Sequence, residues 1–445
     1  MLDLAQQAVR MALEQGATDA ECTVSEGSEF SASVRMGQLE TVKEAGSRAA
    51  GLRVLFGTCV GSSYTSDLTR EGIRNLVHSA VEIAAIGSED AYAGLPDTSD
   101  LGSFPGDLGL YSDDIAGLET QYKIDQALAA EGAALAADPR IKNSEGGSFD
   151  SHLGAHYFAN SRGFAGSYRS SSCSMSVVPV AQDGESMERD YWYTLARSSG
   201  LLESPEYVGK TAAARALRRL HARKLETQKA AVIFEPRTAQ SLLGEIGDAV
   251  DGEAIYRKAS FLADKLGTKI ASENVTVIDD GTIPGLFGSS PFDDEGVPSR
   301  RTVVIDRGVL TNYLLNSYTA RKLGMKTTGN ASRGITGNAS VGNGNFYLEK
   351  GSKSVEEILR SVPRALYVTE LIGSGANIVT GDYSCGAVGL WIEGGEIAYP
   401  VSEITIAASL QQMLMDIEWI GNDLEFRGST ASPTLLIREM TISGQ

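Results

Sequence analysis

The sequence predicts an α+β protein of two domains: an N-terminal α/β domain of antiparallel strands and helices over residues 1–225, and a β-rich C-terminal domain over 226–445. Three observations predict this. At 445 residues the chain exceeds one ordinary domain. Its 49 glycines imply many turns and bulges, as in a strand-rich chain. Alternating segments bounded by glycine turns recur, whereas helical periodicity is confined to a few stretches.

The chain opens with an amphipathic helix, MLDLAQQAVRMALEQGATDAE, with Leu2, Ala5, Val9 and Leu13 near one face. It lacks the basic start and unbroken apolar run of a signal peptide, so a cytoplasmic protein is expected. Three strand-like runs follow, AECTVSEG, FSASVRMGQLETVKEA and AAGLRVLFGTCVGSSYTS, the second with a hairpin turn at Met36-Gly37-Gln38. DLTREGIRNLVHSAVEIAA reads as a helix with Asp67 as N-cap and Ile73, Leu76, Val77 and Val81 on one face. A Gly/Pro/Asp-rich connector over 87–113 leads to a helix over 115–137.

Short alternating strands are expected from Ile141 to Arg197, then a helix capped by Ser204 with Pro205 in its first turn. The polar seam HARKLETQKA precedes the apolar strand AVIFE, and the domain boundary falls there, near residue 226. Helices are expected over 237–250 and around 255–266. Strands follow: NVTVID, then RTVVID and VLTNYLL about an Arg-Gly turn, NIVTGDYS, and AVGLWIE and EIAYPV about a Gly-Gly turn. No fixed repeat period is present.

The net charge of −18 opposes direct contact with nucleic acid, which needs a basic face. No window approaches the length of a membrane span. Cys22, Cys59, Cys173 and Cys385 are scattered, with no CxxC pair or disulfide framework, and fit a reducing compartment.

Several short motifs fail on context. VGKT at 208–211 lacks the glycine five residues before Gly209 that a phosphate loop needs; Ser204 and Pro205 there are helix-start chemistry. His152 and His156 would share an ion only on a helix, and the surrounding Gly154, aromatic pair and Asn-Ser-Arg-Gly turn argue for a strand or loop. On a strand that spacing separates them by roughly 13 Å, too far for shared bonds of about 2 Å. No G-x-S-x-G elbow nominates a nucleophilic serine, and the glycine runs lack the strand–GxGxxG–helix order of a dinucleotide site.

The stretch IDDGTIPGLFGSSPFDDEGVPSRRT, residues 278–302, gathers Asp279, Asp280, Asp293, Asp294 and Glu295 among glycines and prolines. Five carboxylates can in principle bind a hard cation such as calcium, but the spacing is not that of an EF-hand loop.

The longer wording is more specific. GLFGSSPFDDEGVPSRRTVVIDRGVLTNYLLNSYTARKLGMKTTGNA, VTELIGSGANIVTGDYSCGAVGLWIEGGEIAYPVSEITIA, WIGNDLEF and the N-terminal GQLETVKEAGSRAAGLRVLFG resemble the TldD/TldE (PmbA) family, sometimes labelled "modulator of DNA gyrase". The resemblance covers essentially the whole chain. It implies an N-terminal α/β domain, a β-rich C-terminal domain of the TldD/PmbA type, and a heterodimeric zinc-dependent peptidase acting on peptides and unfolded segments. In the family, the TldD-type subunit carries H-E-x-x-x-H on a helix, and a cysteine near its C-terminus completes the zinc site.

The matching helix here is RTAQSLLGEIGDAVDGEAIYRKASF. Leu243 and Asp248 fall where the histidines belong and Gly244 where the glutamate belongs. Sliding the register by one brings Glu245 to the base position but puts Gly244 and Ala249 at the ligand positions. No histidine occurs in the C-terminal half, and the tail EFRGSTASPTLLIREMTISGQ has no cysteine. Leu and Gly cannot ligate zinc, and one Asp cannot hold it.

YRKASFLADKLG, SSPFDDEGV, TGDYSCGAVG and YPVSEITIA resemble the TldE/PmbA-type subunit, the partner without metal. The resemblance therefore implies no cofactor in this chain, zinc in a TldD-type partner, a heterodimer (or a homodimer when alone), and an extended peptide bound along strand edges. Asp279, Asp280, Asp293, Asp294 and Glu295 become a loop shaping the subunit contact or substrate channel, with Asp and Gly making turns and caps. Two alternatives stay open: an independent hydrolase with ligands relocated to His152, His156 and nearby acids, and a homodimeric binding protein regulating gyrase.

Overall fold

The structure, a computed structural model, describes residues 1–373 and 375–444. Helix α1 (Leu2–Glu14) leads into strands β1 (Asp19–Arg35), β2 (Gln38–Phe56) and β3 (Cys59–Thr65), followed by α2 (Arg70–Ala85) and α3 (Thr120–Ala137). Strands β4 (Ile141–Asn160), β5 (Ala165–Asp183), β6 (Ser186–Arg189) and β7 (Trp192–Ala196) and helix α4 (Pro205–Leu217) complete the first half. Its strands form one antiparallel sheet in the order β3-β2-β1-β4-β5-β6, with β7 also paired to β5.

The two faces of this sheet have different jobs. Even-numbered residues of β1, from Ala20 to Val34, point into the helical layer: Cys22 and Val24 pack with α1 and α2, Phe30 and Ala32 with Ile124 of α3. Odd-numbered residues face the other way. His156 of β4 stands opposite Ser25 of β1 and Tyr168 of β5 opposite His156, so all three share that second face with Glu21 and Thr23. The C-terminal half docks against it.

That half begins with β8 (Gln228–Phe234), α5 (Pro236–Ala249) and α6 (Gly252–Tyr256), then β9 (Val277–Asp280), β10 (Arg301–Asp306), β11 (Val309–Leu310), α7 (Ser317–Leu323), β12 (Ala331–Ser332), β13 (Ser340–Val341) and β14 (Phe346–Leu348). After α8 (Val355–Arg360) come β15 (Arg364–Ile372), β16 (Ala376–Asn377), β17 (Asp382–Glu393), β18 (Glu396–Ser409), α9 (Leu410–Met415), β19 (Ile417–Ile420), β20 (Thr430–Ala431) and β21 (Leu435–Ser443). Strands β8, β15, β17, β18 and β21 pair in a closed ring, β8–β15 parallel and the others antiparallel, so they form a small barrel. A second sheet, β11-β10-β9-β14-β20, carries the acidic stretch, and β12 pairs with β13 in a separate ribbon. Leu242, Leu243 and Ile246 of α5 join Val232, Phe234, Trp391 and Ile406 in one core.

The α+β expectation holds, and several local signals read correctly. Met36 (φ 48°) and Gly37 (φ 75°) make the β1–β2 turn, with positive φ at both central positions as a twist-matched hairpin needs. Ser204 accepts the Tyr207 amide at 3.2 Å and caps α4, with Pro205 as its first residue.

Other expectations need correction. Ala12, not Leu13, completes the buried face of α1. Thr69, not Asp67, caps α2: its side chain accepts the Gly72 amide, while Asp67 accepts the Thr69 amide one turn earlier. The short strands expected over 141–197 are mainly two long ones, held in register by their neighbours in the sheet. The helix around 255–266 ends at Tyr256, because Lys258 (φ 54°) and Asp264 (φ 61°) turn the chain out of helical geometry. In NIVTGDYS, residues 378–381 leave the strand between β16 and β17. Among the described residues, no helix is long and apolar enough to cross a membrane.

Candidate functional site

The acidic stretch lies at the seam between the halves, and its five carboxylates have separate fates. Asp280 Oδ1 accepts the amide (2.9 Å) and hydroxyl (2.6 Å) of Thr282 and closes a turn. Asp293, fully buried, accepts the amides of Glu295 and Val297, both at 2.9 Å, and of Ala331 at 3.0 Å. Glu295 accepts the Ser317 amide at 2.9 Å at the start of α7. Asp294 accepts the Arg333 amide at 2.8 Å. Four of the five therefore shape the loop. Burial and the adjacent Glu295 charge hold the Asp293 carboxyl well above the usual carboxylate range.

Asp279 differs. It is 3% exposed, Oδ2 accepts Asn330 Nδ2 at 2.7 Å, and the Gly344 amide faces the same carboxylate. Burial pushes its carboxyl up to about 6, against the hydrogen bond from Asn330 and the nearby Gly344 amide. It lines a cavity of about 220 Å³ with Asp293, Asp294, Ser290, Arg300, Tyr168 and Phe292. Tyr168 comes from the N-terminal sheet, so both halves build this cavity. Glycine lets the loops meet: a Cβ on Gly288 would sit 2.2 Å from the Gly344 carbonyl oxygen.

Beside the cavity is a buried charged cluster. Glu21 Oε1 is contacted by Arg53 Nη1 at 2.9 Å and by Arg333 Nη1, and Arg333 also reaches Thr23 Oγ1. Arg53 donates to Asn338 Oδ1 at 2.9 Å. Sequence reasoning did not single out Glu21, Arg53 or Arg333. The available signal was a charge inside a strand with buried residues on both sides, as in AECTV and GLRVL.

His152 and His156 both lie on β4. His152 is half-exposed, with Nδ1 3.7 Å from Glu29 Oε1. His156 packs against Tyr168 and Phe292, ring centroids 5.1 and 6.1 Å away, and its Nε2 is 3.7 Å from Asp294 Oδ1 without a hydrogen bond. Burial lowers its pKa, against the opposing pull of Asp294. The two rings serve different surroundings and do not converge.

Leu243 lies on α5 with its side chain in the core, Gly244 has open space where a Cβ would stand, and Asp248 is on the exposed side. Burial, then the Asp248 charge, raise the pKa of Glu245. Cys385 is buried on β17, its thiol directed at the Ile372 and Gly373 carbonyls and its pKa raised by burial. Among the described residues, no three His, Cys, Asp or Glu side chains are grouped to hold a metal ion. The helix thus offers an apolar side chain, a glycine and a carboxylate, and this donor set does not fit zinc.

The chain matches three family models: PmbA/TldA metallopeptidase domain 1 over 20–84, the central domain over 113–220 and the C-terminal domain over 227–444. It is 41% identical over 443 residues to "Metalloprotease PmbA" of Escherichia coli O157:H7, covering 99% of this chain and 96% of that one. The chain belongs to the PmbA/TldD family. Among solved members of similar fold, a Bacteroides thetaiotaomicron protein described as a candidate modulator of DNA gyrase superposes with TM-score 0.92 at 28% identity, covering 100% of this chain and 98% of that one. TldE from Thermococcus kodakarensis shares the fold with TM-score 0.88 at 20% identity, covering 99% and 100%. The PmbA/TldD fold accounts for the barrel and the seam.

Proposed function

We propose that this chain is the TldE/PmbA-type subunit of a two-component peptidase. It binds no metal itself, pairs with a TldD-type subunit that carries zinc, and offers strand edges to an extended peptide. The observation that carries this reading is Leu243. Where the family's zinc helix needs a ligand, this helix places an apolar side chain in the core, and Gly244 removes the base. The wording closest to TldE/PmbA supports the same reading.

The hydrolase alternative has less support, because His152 and His156 stand on a strand in separate surroundings. A role as a regulatory binding partner of gyrase draws only on how a structural relative is described.

The test is reconstitution. This chain and a TldD-type subunit are purified separately and mixed with an unfolded peptide substrate. Cleavage is expected only from the mixture, with the two chains co-eluting. Cleavage by this chain alone, abolished by a chelator, would contradict the proposal.

A further inference from the structure

A second cavity, of about 320 Å³, lies where the 88–94 connector, α6, α7 and the 338–339 loop meet, and Arg53 of β2 lines it from the sheet. That volume is in the range of small-molecule sites, roughly 300–1,000 Å³. Arg53 is 9% exposed. Its Nε donates to Asn338 Oδ1 and its Nη1 to Glu21 Oε1, both at 2.9 Å, but Nη2 has no acceptor among the described residues. Nη2 is not sealed from solvent as Arg215 Nε is, so a molecule in the cavity can reach it.

Glu295, 5% exposed, lines the same cavity, and Arg53 pairs with Glu21 rather than with it. The Ser317 amide takes one Glu295 oxygen. A carboxylate accepts about four hydrogen bonds, so acceptor capacity remains. Tyr256 and Tyr318 supply a wall, ring centroids 6.1 Å apart and planes at 73°. The remaining charges engage their neighbours. Arg257 pairs with Glu253 at 2.6 Å, and Asp90 accepts the Tyr318 hydroxyl at 2.8 Å and the Tyr92 amide at 3.0 Å.

A charged ligand fits this lining poorly. An anion would face Asp90, Glu253 and Glu295, and a cation would leave Arg53 Nη2 without an acceptor. A primary carboxamide is neutral and carries an acceptor and a donor on one flat carbon centre, which complements an open guanidinium beside a carboxylate. We propose that this cavity binds a primary carboxamide, its oxygen on Arg53 Nη2, its nitrogen on Glu295 and its body against Tyr256 and Tyr318. An aromatic carboxamide and a glutamine side chain of a bound peptide share that chemistry. The proposal stands apart from the subunit reading above, since no residue of α5 lines the cavity.

The experiment titrates the full chain by calorimetry with benzamide, benzoate, benzamidine and acetophenone, four probes of one shape. A second pair, Nα-acetyl-glutamine methylamide and its norleucine counterpart, tests the peptide source. At least one carboxamide is expected to bind about fivefold or more tightly than its matched controls, the scale of one hydrogen bond. Benzamide binding more tightly than the glutamine probe assigns a ring-borne carboxamide, and the reverse assigns a peptide side chain. Arg53→Lys keeps a charge for Glu21 but loses the planar fork, so it should erase the preference. Tyr256→Leu leaves the ion pair intact and should weaken the preferred carboxamide about fivefold, with thermal unfolding showing a folded chain. If Arg53→Lys does not fold, Tyr256→Leu decides. Benzoate or benzamidine binding most tightly, no binding of any probe, or unchanged carboxamide affinity in Tyr256→Leu would overturn the proposal.

Discussion

Glu21 on the first strand and Arg333 in the C-terminal half form a buried ion pair, their side chains 1% and 4% exposed, and Arg53 reaches the same oxygen of Glu21. One carboxylate therefore holds Arg53 of its own sheet and Arg333 from across the seam. Glu21→Gln takes the contacting counter-charge from both and leaves them the more distant Asp294 and Glu295 carboxylates. Such removals cost about 3–5 kcal/mol. Urea unfolding should show that loss, and a loss below about 1 kcal/mol would mean that the pair contributes little.

Close backbone approach seals the same seam. A Cβ on Gly51 would stand 1.4 Å from the Ile335 carbonyl oxygen, so Gly51→Ala must push the 333–339 loop off the sheet. The expected cost is about 1–3 kcal/mol or more, as for overpacking. Proteolysis should cut the variant within that loop faster than the parent chain. Equal rates would show that the loop adapts without leaving the sheet.

The Asp279 carboxyl is raised in the fold to about 6 from an ordinary 3.8. Between those values the native state keeps a proton that the unfolded state has lost, so this group's contribution falls as pH rises from about 4 to 6 and levels off above. A rise of that size corresponds to about 3 kcal/mol. Asp279→Asn removes the dependence, so its stability relative to the parent should improve from pH 4 to pH 7. Parallel curves for the two proteins would show that the carboxyl is not buried as charged.

The sequence carried the local decisions well and the distant ones poorly. Met36-Gly37 and Ser204-Pro205 were legible because a turn or a cap is settled within four residues. Closure of the barrel was not, because β8 finds β15 and β21 far along the chain. The same limit governs the site. As written in sequence, Asp279 is one of five equivalent acids; it is set apart by Asn330, 51 residues on, and by Tyr168 from the other half. Glu21 looked like an ordinary strand residue because its partner is 312 positions away. Helix α5, by contrast, was found from sequence alone, since its periodicity and family wording are both local.

Restoring the family's ligand types should not restore the metal. In Leu243→His, Gly244→Glu, Asp248→His, the first imidazole starts from a position turned into the core, and no C-terminal cysteine completes the set. Elemental mass spectrometry on the triple variant should find well under one zinc per chain. Tight stoichiometric zinc would show that the ligand positions are correct and that two histidines suffice.

The most direct measurement of the central claim is the metal content of the unaltered chain, purified alone without a metal-affinity tag. Zinc is expected far below one ion per chain, appearing only when a TldD-type partner co-purifies. Close to one zinc per isolated chain would contradict it.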